Sequence, residues 1–259
     1  MSVELSIADG IAEIVLNDPA KLNALDESAI AGLSSALTAA QNAGVRALLL
    51  RGEGRAFCAG RDISRVDPAT DDARGYLDDV VAPLLRQLSA FPAPTFAAAQ
   101  GACLGVGLGL LIATDVVYVA DTAKIGSPFA NLGATLDSGG HALFVERLGA
   151  HRTLDLIYTA ELMSGAEAVA AGLFSRAVPE DSLLEYTRER VAKVATGATG
   201  AFLVSKALVA RLRDERIGLW ASLADENAAQ GALSATDDYR EGFAAFQQKR
   251  RPVFTGARA

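Results

Sequence analysis

The feature that most constrains this chain is a glycine-rich turn within residues 101–115, which read GACLGVGLGLLIATD. Three glycines alternate where a short apolar run becomes a helical one: Gly105, Gly107 and Gly109. Glycine lowers helix propensity, so this spacing indicates that a ligand or another stretch of backbone approaches closely. The apolar residues 94–99 predict a strand, followed by a tight corner and a helix over residues 106–114. Two interpretations stay open: bare amides at the helix start face a ligand, or the glycines line a packing crossing in the core.

Composition places this turn in an α/β protein. Of the 259 residues, 51% are hydrophobic and only 6% are aromatic, a mixture typical of helices packed closely on a sheet. The formal net charge of −7 argues against nucleic acid as a partner, because binding phosphates requires a basic surface. The two cysteines and two histidines have no metal-ligand spacing, so we predict no metal site and a reducing, cytoplasmic location. We also expect no signal peptide and no membrane span.

Alternating and helical patterns extend the α/β prediction along the chain. Residues 3–7 and 11–16 predict two paired strands around an Asp-Gly turn, and Asp26 is expected to cap the helix that follows. The apolar run at residues 46–51 predicts a strand buried on both faces. The polar residues 64–75 predict a surface loop or lid.

The second half of the chain becomes wholly helical. Residues 164–167 read Ser-Gly-Ala-Glu, a capping box, and residues 173–178 predict a last short strand. From residue 181 to residue 249 apolar side chains recur every three or four positions. We therefore divide the chain into a β/α core, residues 1–196, and a C-terminal helical region, residues 197–259.

Three side chains are candidates for chemistry, each with a structural alternative. Lys21 lies in a predicted loop, where it is either a phosphate contact or a solvated lysine. Asp137 precedes an apolar helical run, where it is either a helix N-cap or a catalytic carboxylate. His141 lies one helical turn further on, where a surface position is the default.

Four motifs in order resemble those of the crotonase superfamily, the enoyl-CoA hydratases and isomerases. They are residues 16–25 (LNDPAKLNAL), 54–63 (GRAFCAGRDI), 101–107 (GACLGVG) and 237–254 (DDYREGFAAFQQKRRPVF). The resemblance implies a spiral of ββα units with a C-terminal helical trimerisation region, assembled as a homotrimer or a dimer of trimers. It also implies an acyl-CoA substrate, with coenzyme A as part of the substrate and no separate cofactor.

The same resemblance implies site residues. The backbone N–H groups of Arg61 and Val106 correspond to the family's oxyanion hole, which binds the thioester carbonyl; because only N–H is used, their side chains are expected to be free to vary. Positions expected to contact coenzyme A are Lys21, Ala59, Asp62, Ile63, Phe246 and Lys249, the last two from a neighbouring subunit.

Departures from the family pattern indicate the reaction. The hydratases carry two glutamates that activate water, and this chain has Gly109 and Phe129 at those positions. Asp137 matches the acidic residue of several isomerases of the family, and apolar surroundings such as Phe129 would raise its pKa. We therefore predict an enoyl-CoA isomerase with Asp137 as proton shuttle. The alternatives are a hydratase, lyase or hydrolase that uses other groups and a catalytically silent acyl-CoA binding protein. A dinucleotide-binding domain is excluded, because Leu110 replaces the third small residue of its fingerprint.

Overall fold

The structure, a computed structural model, describes residues 1–64 and 66–256. Within these residues nine strands form two sheets. The strands are β1 (Ser2–Ala8), β2 (Ile11–Asn17), β3 (Ala47–Gly52), β4 (Thr95–Ala99), β5 (Ala102–Leu104), β6 (Val116–Ala120), β7 (Lys124–Gly126), β8 (Met163–Ser164) and β9 (Arg176–Val178). The large sheet has the order β1-β2-β3-β4-β6-β9, antiparallel between β1 and β2 and parallel elsewhere. The small sheet has the order β5-β7-β8.

The helices alternate with the strands and then continue alone. They are α1 (Glu27–Asn42), α2 (Ala73–Gly75), α3 (Ala82–Ser89), α4 (Val106–Ile112), α5 (Gly140–Thr159), α6 (Gly165–Ala170), α7 (Glu180–Ala195), α8 (Thr199–Glu215), α9 (Leu219–Leu233) and α10 (Asp237–Gln247). A π-helical segment, Tyr76–Val81, joins α2 to α3. Short 3-10 turns occur at Pro19–Lys21 and Phe129–Leu132.

Most local predictions are confirmed. The Asp26 side chain accepts a hydrogen bond from the Ala29 N–H and caps α1, and Ser164 and Glu167 form a capping box at α6. Residues 181–249 are helical apart from short turns. The boundary predicted between residues 196 and 197 falls in the turn between α7 and α8 and stays a prediction.

The core lies on both faces of the large sheet. Leu48, Leu49 and Leu50 of β3 are at most 1% exposed, as expected for a parallel strand covered on both sides. Helix α7 packs across β3, β4 and β6, while α1 and α3 pack on each other. The predicted corner after β4 contains an additional strand, β5, which leaves the large sheet and pairs with β7. This change of sheet carries the glycine-rich turn to the end of β3.

Two predictions about extent need correction. The last strand covers only Arg176–Val178 rather than residues 173–178, because Leu173 and Ser175 lead into it through backbone hydrogen bonds to Ala168 and Val117. The polar segment from residue 64 becomes helical at Ala73. None of the helices in the described part of the chain combines the length and apolar character needed to cross a membrane.

Candidate active site

Two glycine-bearing loops meet beside the end of β3. The Cys58 N–H donates to the Ala102 carbonyl oxygen (2.9 Å), and the Leu104 N–H donates to the Cys58 carbonyl oxygen (3.0 Å). These bonds pair Cys58 with Cys103 as an isolated parallel bridge. The loop after β3 is thereby held against the turn that enters α4, as the spacing of the glycines predicts.

Glycine is required where the two loops touch. A Cβ atom at Gly107 would overlap the Cys58 carbonyl oxygen and lie 2.8 Å from the Cys58 Cβ atom. Gly60 has a φ of +98°, and a Cβ atom there would lie 2.9 Å from the Leu104 carbonyl oxygen. The interpretation that these glycines allow close packing of backbone is therefore confirmed. The interpretation that bare amides at the helix start face a ligand stays a prediction.

The two loop amides are the N–H groups of Arg61, which follows Gly60, and of Val106, which lies between Gly105 and Gly107. Neighbouring amides are occupied: the Asp62 N–H donates to the Leu25 carbonyl oxygen (2.8 Å), and the Gly105 N–H donates to the Gly126 carbonyl oxygen (3.3 Å). The described loop hydrogen bonds include none from Arg61 or Val106. Val106 is the first residue of α4, so its N–H has no acceptor within the helix.

Buried amide side chains fix the shape of the loop after β3. Asn23 is fully buried, and its Nδ2 donates to the Glu53 (3.0 Å) and Ala56 (2.8 Å) carbonyl oxygens. The Gln100 Nε2 donates to the Gly52 carbonyl oxygen (2.9 Å) and to that of Gly54 (2.8 Å). Asn23 belongs to a motif recognised in the sequence, whereas Gln100 was missed, because a single glutamine carries no local pattern.

Asp137 lies in the segment before α5, but it does not cap this helix. The N-cap is Gly139, and no side chain caps the helix. Ser138 (φ +53°) and Gly139 (φ +88°) adopt left-handed conformations before the helix starts at Gly140. The Gly140 N–H donates to the backbone carbonyl oxygen of Asp137 (2.9 Å) rather than to its carboxylate. The N-cap interpretation is therefore wrong. The Asp137 Oδ1 is buried and has no hydrogen-bond partner.

Burial raises the pKa of the Asp137 carboxyl, and this effect outweighs the opposing effects of the Ser138 hydroxyl and of His141. The direction is the one predicted from the sequence. His141 itself is exposed and its Nε2 lies 3.5 Å from the Thr135 Oγ1. An occluded carboxyl group with a raised pKa can exchange protons closer to neutral pH than a solvated one.

Neither Gly109 nor Phe129 supplies an acid or base. A Cβ atom at Gly109 would lie 2.6 Å from the Ser138 Cβ atom, so the missing side chain makes room for the segment that carries Asp137. The Phe129 ring lies over the glycine-rich turn, 2.9 Å from the place of a Cβ atom on Gly105. Gly109 and Ser138 also border a groove of about 1200 Å³ between α3, α4, α5 and α8.

The Arg61 side chain has partners that the sequence did not predict. Its guanidinium donates two hydrogen bonds to the Asp71 carboxylate, at 3.0 and 2.8 Å. It also lies 4.0 Å from the centroid of the Tyr76 ring, a cation–π distance. The role expected for the Arg61 N–H is separate from these side-chain contacts and stays a prediction. Contacts between a loop and a distant helical turn have no periodic sequence signal.

The predicted coenzyme A positions fall into two groups. Near the loop amides, the Lys21 Nζ lies 2.6 Å from the Asp62 Oδ2, the Ala59 N–H donates to the Leu22 carbonyl oxygen (2.9 Å), and Ile63 is exposed. The hydrogen bond from Lys21 holds the pKa of Asp62 well below its usual range. Lys21 thus forms an ion pair while its side chain stays 49% exposed, and its role as a phosphate contact stays a prediction.

The second group lies on the C-terminal helices. Phe246 is 84% exposed and borders an apolar cavity of about 410 Å³ together with Phe243 and Phe254. Lys249 lies in the turn that follows α10. Other residues of the same motif are structural: Arg250 pairs with Glu241.

The described residues contain no group of three histidine, cysteine, aspartate or glutamate side chains that could hold a metal ion. The two cysteines are buried free thiols, and burial raises the pKa of Cys58 to about 12. The predicted site groups are thus the two loop amides and the Asp137 carboxyl group, whose segment packs on α4 at Gly109.

Comparison with known proteins identifies the architecture. The family model described as "Enoyl-CoA hydratase/isomerase" matches residues 6–257. A probable enoyl-CoA hydratase of Rhodobacter capsulatus is 36% identical over 98% of both chains. The 1,2-epoxyphenylacetyl-CoA isomerase of Escherichia coli is 31% identical, covering 96% of this chain and 97% of that protein. The crystal structure of an enoyl-CoA hydratase from Bacillus anthracis is 27% identical and superposes with a TM-score of 0.89, covering 99% of this chain and 100% of that chain.

The matches extend over nearly the whole chain and agree in fold as well as in sequence. Some of these relatives are named as hydratases and others as isomerases. Their names therefore indicate the class of acyl-CoA enzyme but not the particular reaction. The chain belongs to the enoyl-CoA hydratase/isomerase family of the crotonase superfamily.

Proposed function

We propose that this protein is an enoyl-CoA isomerase that moves a double bond from the 3 to the 2 position of the acyl chain. The observation that carries the proposal is a single carboxyl group, Asp137, with a buried and unpartnered Oδ1. The segment that carries it packs against the glycine-rich helix α4 at Gly109. No second acid or base occupies the positions of the hydratase glutamates.

In the proposed mechanism the two loop amides bind the thioester oxygen. The Asp137 Oδ1 takes the proton from the carbon alpha to the carbonyl, and the C–H electron pair passes into a dienolate whose negative oxygen the amides stabilise. The protonated Asp137 then returns the proton to the gamma carbon, and the electrons move back to form the 2,3 double bond. One base suffices because the same proton leaves and returns.

The surroundings of Asp137 suit this role. Burial raises its pKa. The pKa of the carboxyl group is thereby closer to neutral pH, where a group that both takes up and returns a proton is most effective. Hydration of a 2-enoyl-CoA would need groups that activate water, and each such acid or base contributes about 10² to 10⁴ in rate. Gly109 and Phe129 provide neither.

The proposed contacts with coenzyme A come from two groups of residues, one near the loop amides and one in the C-terminal helical region. Lys21, Ala59, Asp62 and Ile63 would bind the near part of coenzyme A, beside the amide of Arg61. Phe246 and Lys249 would reach coenzyme A bound to a neighbouring subunit. Coenzyme A arrives as part of the substrate, and no other cofactor enters the mechanism. A cytoplasmic location stays a prediction.

A substrate panel tests the reaction. We expect the purified protein to convert 3-hexenoyl-CoA to 2-hexenoyl-CoA, with negligible hydration of 2-hexenoyl-CoA and negligible release of free coenzyme A. Hydration at a comparable rate would instead support the alternative favoured by the relatives named as hydratases. Tight binding of acyl-CoA without any turnover would identify a silent binding protein.

The first prediction from this proposal concerns Lys249. A phosphate contact far from the reacting carbons gives uniform binding of substrate and transition state. We therefore expect Lys249→Gln to raise KM and the Kd for coenzyme A about 1.5- to 5-fold, the usual range for one exposed charge, with kcat unchanged. Lys193→Gln, an exposed substitution on α7, is the control. Calorimetry with an unchanged Kd for the Lys249 variant would remove this residue from the site.

The second prediction concerns assembly. The C-terminal helices expose apolar side chains that a lone subunit leaves in water, including Val209 (63%), Leu219 (73%) and Trp220 (78%). Such faces are typical of oligomer interfaces. We expect sedimentation at micromolar concentration to give about three or six times the monomer mass. A monomer under these conditions would exclude a neighbouring subunit as the source of Phe246 and Lys249.

A further inference from the structure

Three buried side-chain oxygens lack a hydrogen-bond partner, and the proposed mechanism explains only one of them. Among residues 1–64 and 66–256, the buried side-chain polar atoms without a hydrogen-bond partner are Tyr76 Oη, Asp137 Oδ1 and Ser138 Oγ. Buried polar groups are almost always hydrogen-bonded, so each exception calls for a physical reason. A general base that acts on a C–H bond accounts for Asp137, but it does not account for the two hydroxyl groups.

The Tyr76 ring is held by a chain of contacts that starts in the loop after β3. Arg61, whose amide is one of the two loop amides, places its guanidinium 4.0 Å from the ring centroid. Asp71 in turn holds this guanidinium through two hydrogen bonds. Tyr76 is only 7% exposed. Its hydroxyl is therefore fixed close to the residue that would bind the thioester oxygen.

Tyr76 and Asp137 also lie within range of each other's charge. Burial raises the pKa of the Tyr76 hydroxyl, Arg61 opposes this rise, and Asp137 reinforces it. A hydroxyl group with a raised pKa stays protonated at neutral pH, so it is available as a hydrogen-bond donor. The Tyr76 hydroxyl and the Asp137 Oδ1 are both buried without a hydrogen-bond partner, and Tyr76 lies beneath the guanidinium of Arg61.

The ion pair of Arg61 and Asp71 covers the Tyr76 ring. The Arg61 and Asp71 side chains remain 24% and 21% exposed, whereas the ring beneath them is buried. Ser138 borders the groove between α3, α4, α5 and α8. This groove gives Ser138 contact with solvent on the side away from the Arg61–Asp71 pair.

We infer that Tyr76 is a specificity-determining residue whose hydroxyl donates a hydrogen bond to an oxygen on the acyl chain. The substrate class is then an enoyl-CoA with a hydroxyl or carbonyl oxygen just beyond the migrating double bond, with Ser138 as a second contact. This inference rests on the proposed function for its reaction, but the recognition that it describes is separable from turnover. A site built to hydrogen-bond a substrate oxygen discriminates strongly against the analogue that lacks it.

The test compares 3-hexenoyl-CoA with its 5-hydroxy derivative. We expect the native protein to prefer the hydroxylated substrate about 10- to 100-fold in kcat/KM, a range typical of one buried hydrogen bond. Tyr76→Phe should abolish this preference and leave the turnover of 3-hexenoyl-CoA within about twofold of the native value. The control is Tyr118→Phe, which alters another buried tyrosine that packs against Phe96 and Tyr186 in and beside the large sheet. The control should keep the preference.

Binding of saturated analogues separates this inference from the isomerase proposal. Hexanoyl-CoA and 5-hydroxyhexanoyl-CoA cannot isomerise, so their Kd values report recognition alone. A preference for the hydroxylated analogue that disappears in Tyr76→Phe supports the inference even if neither 3-enoyl-CoA turns over, an outcome that would overturn only the isomerase assignment. Equal affinity of the native protein for both analogues overturns the inference. An equal loss with both substrates in Tyr76→Phe also overturns it, because the tyrosine would then act on Asp137 or on the fold.

Discussion

Replacing Asp137 with asparagine is expected to reduce turnover of 3-hexenoyl-CoA by about 10² to 10⁴, the usual contribution of a general acid or base. Asparagine keeps the volume of the side chain but cannot take up the alpha proton. The two loop amides are unchanged, so KM and the affinity for coenzyme A should stay close to the native values. Steady-state kinetics and calorimetry on the same preparations measure both effects.

The stability of this variant distinguishes catalysis from a structural role. Burial raises the native-state pKa of Asp137 above its value of 3.8 in the unfolded chain. Ionising this carboxyl group therefore costs native-state stability, a cost that develops as the pH rises from the unfolded pKa through the native one. Asparagine removes this cost, so the variant should be at least as stable as the native protein at pH 7. An active Asp137→Asn variant, or an inactive one that is also strongly destabilised, would contradict the assignment.

The same shift predicts the pH dependence of turnover. Asp137 must be ionised to accept a proton, so kcat/KM should rise with pH through the native pKa of Asp137, which lies above the ordinary value. In the asparagine variant this rise should disappear from the residual activity. The profile thereby tests the chemical role of Asp137 without relying on the size of the rate loss.

Local hydrogen-bond patterns made much of the fold predictable. The hairpin of β1 and β2, the Asp26 cap and the Ser164–Glu167 capping box each depend on residues a few positions apart, so their side chains determine them directly. The approach of the two loops could also be predicted, because glycines such as Gly60 and Gly107 are typical of close contact between two backbone segments. The corner after β4 was more complex than predicted, since β5 pairs with a strand that lies further along the chain.

The sequence was less informative about the surroundings of Asp137. Its position before an apolar helical run is typical of an N-cap, but two left-handed residues move the start of the helix to Gly140. Ser138 is one of these, and a positive φ is uncommon for a residue other than glycine. The Asp71–Arg61–Tyr76 contacts join a loop to a helical turn, so they depend on tertiary packing that no local rule describes.

The glycine-rich turn gives the second large expected effect, through Gly107→Ala. A Cβ atom here would overlap the Cys58 carbonyl oxygen, which accepts the hydrogen bond from the Leu104 N–H. The backbone on both sides must separate to admit it, because the obstacle is main chain rather than a flexible side chain. We expect a loss of about 1 to 3 kcal/mol in the free energy of unfolding, as for other overpacked cores.

The same separation should impair catalysis more than it impairs folding. Gly107 lies one residue beyond Val106, and Cys58 lies three residues before Arg61, so the two loop amides move apart with the backbone that carries them. Loss of one oxyanion donor typically costs about 10² to 10³ in kcat. Denaturant unfolding and steady-state kinetics of the folded fraction separate the two losses.

Gly231→Ala is the matched control, because Gly231 is also a glycine within a helix, α9, and a Cβ atom there would have no neighbour within 4 Å. Alanine lowers the conformational entropy of the unfolded chain and favours the helix, so this substitution should stabilise the protein by about 0.5 to 1 kcal/mol and leave kcat unchanged. If Gly107→Ala behaved like Gly231→Ala in both measurements, the loops would be free to separate without consequence, and the amides of Arg61 and Val106 could not be the groups that stabilise the thioester oxygen.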